Sequence, residues 1–282
     1  MGKNKNKKFK SGCNLLYFAP LLSIDYDKLD ANPFDETAFT YGDWFRARGA
    51  EKIDLKSQFA SQKHAADDNE SYIVQKKNNG YNGTVQVTCL PPEFFEKICL
   101  MENFIETDET VPLAFATGWE YKEQGVKCRR ILWNCDLTQL PSITHTTESG
   151  DLAIDSDSIN INASGLEGMR SITAVCTEGE DAYTNFFTSV LMPSDFGMSN
   201  IMISGPSEVT VDGDTITLTA ATLPAGAAVT WTSLDTDNAT VTSGGVVTAV
   251  AAGTATIKCA LTSDPTVFAT KTITVNAATV GG

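Results

Sequence analysis

The stretch that most restricts how this chain can fold is GGVVTAVAAGTATIKC, Gly244 to Cys259. Its sixteen residues hold one charge, Lys258, and otherwise Val, Thr, Ile, Ala, Gly and the closing Cys259. β-branched side chains lose rotamer freedom in a helix and suit a pleated, half-buried surface. No helical period is present, and the glycines cut the run into short strands with a turn at Gly244-Gly245. The same pattern fills the last third of the chain. VTVDGDTITLTA places Val209, Val211, Ile216 and Leu218 in alternation around an Asp-Gly turn. AVTWTS puts Val229 and Trp231 on one face, with Trp231 expected in the core. GTATIKCAL and FATKTITVNA close the set, with Ile257, Ile273 and Val275 pointing one way. Roughly seven short strands in about 80 residues predict an Ig-like β-sandwich.

Composition changes near MPSDFGMSN, Met192 to Asn200, where Pro193, Gly197 and Ser199 act as breakers. Three of the four tryptophans lie before it. The expected division is a flexible basic arm at 1–12, a body at 13–194, a linker at 195–199 and the Ig-like domain at 200–282. Charge follows that division. Residues 1–10 carry five lysines and no acid, 11–196 carry 14 basic and 29 acidic side chains, and 197–282 carry 2 and 6. A body this acidic repels a phosphate backbone, which excludes a general nucleic-acid grip. The start, MGKNKNKKFKSGCNLLYFAPLLSIDYD, mimics a secretion signal, but Pro20 breaks its apolar run and no small-x-small site follows. It reads as the arm leading into a first strand, and no apolar run is long enough for a membrane-spanning helix.

The seven cysteines, 13, 89, 99, 128, 135, 176 and 259, form no CxxC pair. They are expected to be reduced and to act as small buried hydrophobes, which fits folding in a reducing cytosol. No metal, cofactor or catalytic residue is expected, because GxSxG, HExxH and P-loop patterns are missing. His64 and His145 both lie in polar segments. AADDNE, Ala65 to Glu70, is either a divalent-cation loop or a solvated or inter-subunit charge cluster, the second being preferred. DTDN, Asp235 to Asn238, reads as an Asx-type turn. The Asn-x-Ser/Thr sites at Asn69, Asn82, Asn162 and Asn238 mark polar loops.

The body is also mainly β. NLLYFAPL (14–21), EKIDLKSQF (51–59), ESYIVQKK and GTVQVTCL read as strands, the last two joined by a turn-rich KNNGYNG link. PPEFFEKICLMENF opens on two prolines, suited to a helix's first turn, and Phe94, Phe95, Ile98 and Leu100–Met101 would line its apolar face. VPLAFATGWEY and VKCRRILWNCDLT form a hairpin across KEQG, and SITAVCTEG is a further strand. Arg129, Arg130 and Trp133 share one strand, where subunit contacts are expected, the arginines pairing with acids of a neighbouring subunit.

Two resemblances follow. VTWTS, then ATVTSGGVVTAVAAGTATIKC, then KTITV is similar to the bacterial Ig-like group 2 domain, over about residues 200–277. That resemblance implies a fold and a display role, with no catalysis. Over about residues 12–190 the chain resembles the major tail protein of long-tailed phages of Gram-positive bacteria. The likeness rests on the order of NLLYFAPL, AADDNE, GYNGTVQVTCLPPEFFEKICL, LAFATGWEY with CRRILWNCDLTQLP, and TTESGDLAIDSDSININASG. Residues 25–49 are longer and more acidic than that family's pattern. The resemblance implies stacked, hexameric rings forming a virion tail tube, made in the host cytoplasm. Its partners would be itself, a tape-measure protein and other tail proteins, with DNA sliding through an acidic lumen unbound. Host-surface glycans are a possible ligand of the Ig-like domain, and no membrane insertion is expected. The alternatives are a bacterial surface adhesin or polysaccharide-binding protein, and the tube of a phage-derived particle without a genome.

Overall fold

The computed structural model describes residues 10–66, 69–101, 110–141, 156–211 and 214–277; over 10–11, 62–66 and 69–75 it describes the backbone alone. The basic residues 1–9, His145 and the TTESGDLAI segment lie outside the described residues, as do Asp67 and Asp68 of AADDNE and the side chain of His64. The chain divides into two compact units. One takes the chain up to Ile24 and from Phe39 to Phe196; the other takes Asp25–Ala38 and everything from Gly197. Both are mainly β.

In the first unit β1 (Lys10–Ile24) starts the fold, and α1 (Tyr26–Ala31) follows it into the second unit. The chain returns as β2 (Phe39–Tyr41), β3 (Phe45–Ala47), β4 (Ala50–Ala66) and β5 (Asn69–Val87). Then come α2 (Pro92–Lys97), β6 (Phe115–Glu123), β7 (Val126–Leu137), β8 (Asp157–Ser164), β9 (Thr173–Thr177) and α3 (Asp181–Asn185). One antiparallel sheet runs β2-β1-β6-β7-β8-β5-β4, with β3 added to β1 and β9 to β7. β6 and β7 meet across Gln124-Gly125, both at positive φ (54° and 89°), the geometry of a two-residue hairpin turn.

β7 is buried on both faces. Cys128 and Leu132 join a core with Leu16, Phe18, Val85, Phe115 and Ile159, while Trp133 turns the other way. A bulge, one residue of β6 (Ala116) against two of β7 (Trp133 and Asn134) between Phe115 and Thr117, brings Cys135 back to the core side. Trp133 is sealed by residues after α3: its Nε1 donates to Leu191 O at 2.7 Å and its ring meets Phe196 edge-on. α2 plugs the main core, Phe94 packing edge-on against Phe18 and Phe115 with centroids 5.1 and 6.1 Å apart. Pro92 occupies the first helical turn, where no amide bond is lost. The helix is shorter than the sequence suggests. It ends at Lys97, and Leu100 takes a positive φ (54°) and stands exposed, so only Phe94, Ile98, Cys99 and Met101 turn inward fully.

The KNNGYNG link is a second correction: β5 runs through it unbroken. The glycines serve close approach rather than a turn. Ser57 pairs with Tyr81 and Phe59 with Asn78, so β5 carries a bulge, and Gly80 takes a φ of 109° in it. A Cβ on Gly80 would lie 1.8 Å from Ala163 O of the neighbouring β8. DSININAS, read within a loop, is β8 itself, with Ile159, Ile161 and Ala163 buried in alternation. β1 starts at Lys10, opposite Glu123, inside the segment expected to be the arm.

The second unit continues with β10 (Asn200–Ser204), β11 (Glu208–Thr210), β12 (Thr215–Thr217), β13 (Thr219–Leu223) and β14 (Val229–Ser233). β15 (Ala239–Val241), β16 (Val246–Ala249), β17 (Gly253–Leu261) and β18 (Phe268–Asn276) complete it. Sheets β11-β18-β17-β14 and β12-β16-β15 enclose one core of Val209, Leu218, Val247, Ile257, Ile273 and Val275, and β10-β13 form a separate pair. The strands flanking Asp212-Gly213 are not a hairpin: β11 pairs in parallel with β18, and β12 with β16 of the other sheet. Trp231 is half-buried rather than enclosed, packed against this core and against a smaller cluster of Ile201, Cys259 and Leu261. Residues 25–38 belong to this unit, unlike the expected division. Leu29, Phe34 and Ala38 are buried there, and Asn32 Nδ2 donates to Thr222 O at 3.3 Å.

Candidate functional site

Two neighbouring features of the first unit stand out: a cavity and a ribbon. The cavity holds about 500 Å³. Trp119, Tyr121 and Leu132 form its buried lining, presented by inward positions of β6 and β7. Ile53 and Leu55 of β4 and Tyr81 of β5 line it half-buried. Gly12 and Cys13 add the start of β1, and burial pushes the Cys13 thiol up to about 11. Among the described lining residues the one charged group is Arg130, for which the described residues offer no hydrogen bond or ion pair from the side chain. An aromatic-lined space with one guanidinium suits an apolar or aromatic guest, since a cation over a ring face attracts it.

Arg129, one residue away, has the opposite environment, because successive strand residues face opposite sides. Its Nε donates to Glu120 Oε2 at 3.2 Å, and Tyr183 donates its hydroxyl to the same oxygen at 2.8 Å. The guanidinium lies 3.9 Å from the Tyr183 centroid and 4.9 Å from that of Phe187. Arg129 is thus consumed within its own chain, which corrects its expected role in pairing with a neighbour's acid. Trp133, fully buried, offers no stacking face.

The ribbon is the far part of β4 and β5. β8 covers β5 from Tyr81 to Val87; beyond that, the described residues pair β5 with β4 alone, out to Ala66 opposite Asn69. Ten residues from Ser57 to Ala66 span about 30 Å. The described side chains there, Ser57–Ser61 and Lys76–Asn79, are all exposed, and Phe59 is 62% exposed. Lys56, Lys76 and Lys77 give its base a positive charge.

Other candidates are structural. Asp235 Oδ2 accepts from Thr256 N at 2.8 Å, and Asp235 O accepts from the amides of Asn238 and Ala239, so DTDN is a turn. Asn82 Nδ2 donates to Asn162 Oδ1 at 2.6 Å across β5 and β8, and Asn238 Nδ2 donates to Ala251 O and Ala252 O. Five cysteines, 99, 128, 135, 176 and 259, are buried as expected; Cys13 is half-buried and Cys89 exposed. Among the described residues no group of three His, Cys, Asp or Glu is arranged to hold a metal ion. No described helix is long and apolar enough to cross a membrane.

The strand expected at EKIDLKSQF carries Ile53 and Leu55, and CRRILWNC carries Arg130, but neither segment indicates the cavity they share. The available signal was the two-residue spacing of Ile53 and Leu55 and of Trp119 and Tyr121; that these rows stand apart across a gap depends on strand placement.

Residues 199–275 match the family model of the bacterial Ig-like domain (group 2). The C-terminal unit carries an Ig-like domain. The match covers the sandwich from just before β10 to the last turn of β18's ladder, and it leaves the first unit unassigned. No curated protein matches the chain.

Proposed function

We propose that this protein is a structural subunit that assembles with itself, the tube protein of a phage tail, and that it displays its Ig-like domain as a decoration. The observation that carries the reading is the β4–β5 ribbon. A two-stranded ribbon without a packed face is marginal in water at best. This one runs well past its core, leaves Phe59 exposed, and ends the sheet on an outer edge of β4 that no described strand pairs. Open edges and unfilled apolar surface are what a second subunit completes. Side-to-side contacts that close by rotation give rings, and head-to-tail contacts stack them. The order of motifs over residues 12–190 supports this assembly class, and the acidic body suits a conduit that DNA crosses without sticking. The tape-measure protein and other tail proteins are the further partners of this role, the virion tail is its place, and catalysis is not required.

The test is electron microscopy and light scattering of the full chain across concentration. Rings or tubes are expected. A stable monomer at every salt concentration sinks the proposal. The Ig-like match suits a bacterial surface adhesin or polysaccharide-binding protein equally well. A monomer that binds a bacterial surface glycan would establish that reading instead. A tube found in a particle lacking DNA would assign it to a phage-derived assembly.

A further inference from the structure

We propose that the aromatic cavity of one subunit receives Phe59 from the ribbon of a second copy of this chain. The inference rests on the self-assembly reading and names its contact. Alternation along β4 puts Ile53, Leu55, Ser57 and Phe59 on one face, and the strand's pairing keeps that phase. Ile53 and Leu55 line the cavity, while Phe59 stands about 13 Å further along an extended strand and cannot bend back into it. The chain thus builds an exposed aromatic knob and a half-open aromatic socket that its own knob cannot fill. Only another copy brings the two together. A knob and a socket at different places on one surface make a heterologous contact, which propagates into rings or filaments rather than stopping at a dimer.

Charge agrees with this occupant. Lys56, Lys76 and Lys77 flank Phe59's part of the ribbon, and Ser57–Ser61 and Lys76–Tyr81 hold no acid. Outside the two ribbon strands, residues 11–49 and 88–196 hold 24 acidic and 9 basic side chains. A basic ribbon base arriving at an acidic body is attracted to it, while like-charged bodies stay apart. Inside the socket, the Arg130 guanidinium, without a partner among the described residues, supplies a cation for the incoming ring, beside Trp119 and Tyr121.

The test uses the full chain with Phe59→p-benzoylphenylalanine, irradiated after assembly, in an equal mixture of isotope-labelled and unlabelled protein. Cross-links between differently labelled chains should map to the cavity lining, foremost Tyr81, Trp119 and Tyr121. In parallel, Phe59→Asp should raise the concentration needed for assembly by about tenfold or more. Phe268→Asp, a change at another exposed phenylalanine, on β18, should leave it unaltered. Tubes whose cross-links lie elsewhere, or within one chain, overturn the knob-and-socket contact and leave the tube reading standing. Tubes that form as readily with Phe59→Asp do the same. Failure of the unmodified chain to assemble under any condition overturns both.

Discussion

In the C-terminal unit no strand outruns its core. β17 and β18, nine residues each, pair from Gly253 with Val275 to Ala260 with Phe268, and both contribute to one enclosed cluster. The N-terminal unit is built otherwise. β4 and β5 are 17 and 19 residues long, yet a third strand covers only Tyr81–Val87, and a 500 Å³ cavity lies where their base meets β6 and β7. Small residues explain the first case: Ala, Val, Thr and Gly let two short-stranded sheets close on each other without large gaps. The N-terminal unit keeps large aromatics, unfilled space and an uncovered ribbon. One region closes on its own core; the other leaves a ribbon and a cavity uncovered within the single chain.

The largest effect should come from removing the uncovered part. Joining Ser57 to Tyr81 through an Asn-Gly turn deletes the ribbon and keeps every strand pair that β8 braces. The expected product is a folded monomer at all concentrations, with unchanged circular dichroism per remaining strand. If that variant still forms tubes, the contrast between a self-sufficient and an incomplete unit is wrong.

A pair of tryptophans measures how differently the two cores are sealed. Trp133 is fully enclosed and its indole N–H is used, so Trp133→Ala should cost the N-terminal unit about 3–5 kcal/mol. Trp231 is half-buried, and Trp231→Ala should cost the C-terminal unit less, about 2 kcal/mol. Denaturant unfolding followed for both variants reads the difference. Equal losses would mean that Trp231 seals its sandwich as Trp133 seals β7.

A smaller effect tests where the units divide. Phe34 is 7% exposed and sits in the 25–38 segment that clusters with the Ig-like residues. Phe34→Ala should destabilise the C-terminal unit by about 3 kcal/mol and leave the N-terminal transition in place. A shift in the N-terminal transition instead would move the segment to the other unit. For the same reason a chain ended at Phe196 should be soluble only if residues 25–38 are removed too. Ile24 and Phe39 are already paired across β1 and β2, so a short turn can close that gap.

The sequence makes the sandwich legible because its signal is local. Val247, Ile257, Ile273 and Val275 alternate within strands, and Gly245, at φ 80°, sits in the turn where the glycine pair was read. The hairpin at Gln124-Gly125 is legible for the same reason. What escapes is set by distant partners. Gly80 and Gly83 look like turn residues until Ala163 O and Asp54 O are seen pressing on them. Arg129 looks available until Tyr183, 54 residues on, covers it. The allegiance of residues 25–38 depends on Thr222, 190 residues from Asn32. The cavity is least legible of all, because it is a place where inward-facing side chains from several strands fail to meet.

The smallest effect is chemical and reads whether the cavity is open or filled. Burial raises the Cys13 thiol to about 11 from an ordinary value of 9.0. Only the thiolate alkylates, so below pH 9 a thiol at 11 offers roughly a hundredfold less of it than an ordinary one. The sign for stability follows: the folded chain holds this proton more tightly than the unfolded chain does. Any contribution is therefore present below about pH 9 and is lost as pH rises towards 11. Iodoacetamide at pH 8 should label exposed Cys89 first and Cys13 slowly, as read by mass spectrometry of the peptides. The comparison sharpens when the ribbon-deleted monomer and the assembled full chain are labelled side by side at pH 10. Cys13 should react in the monomer; if a neighbour's phenyl ring fills the cavity in tubes, as proposed, its rate there should fall several-fold. Equal rates in the two states would mean that assembly leaves the cavity open, and the unit would then be completed by its ribbon and edges alone.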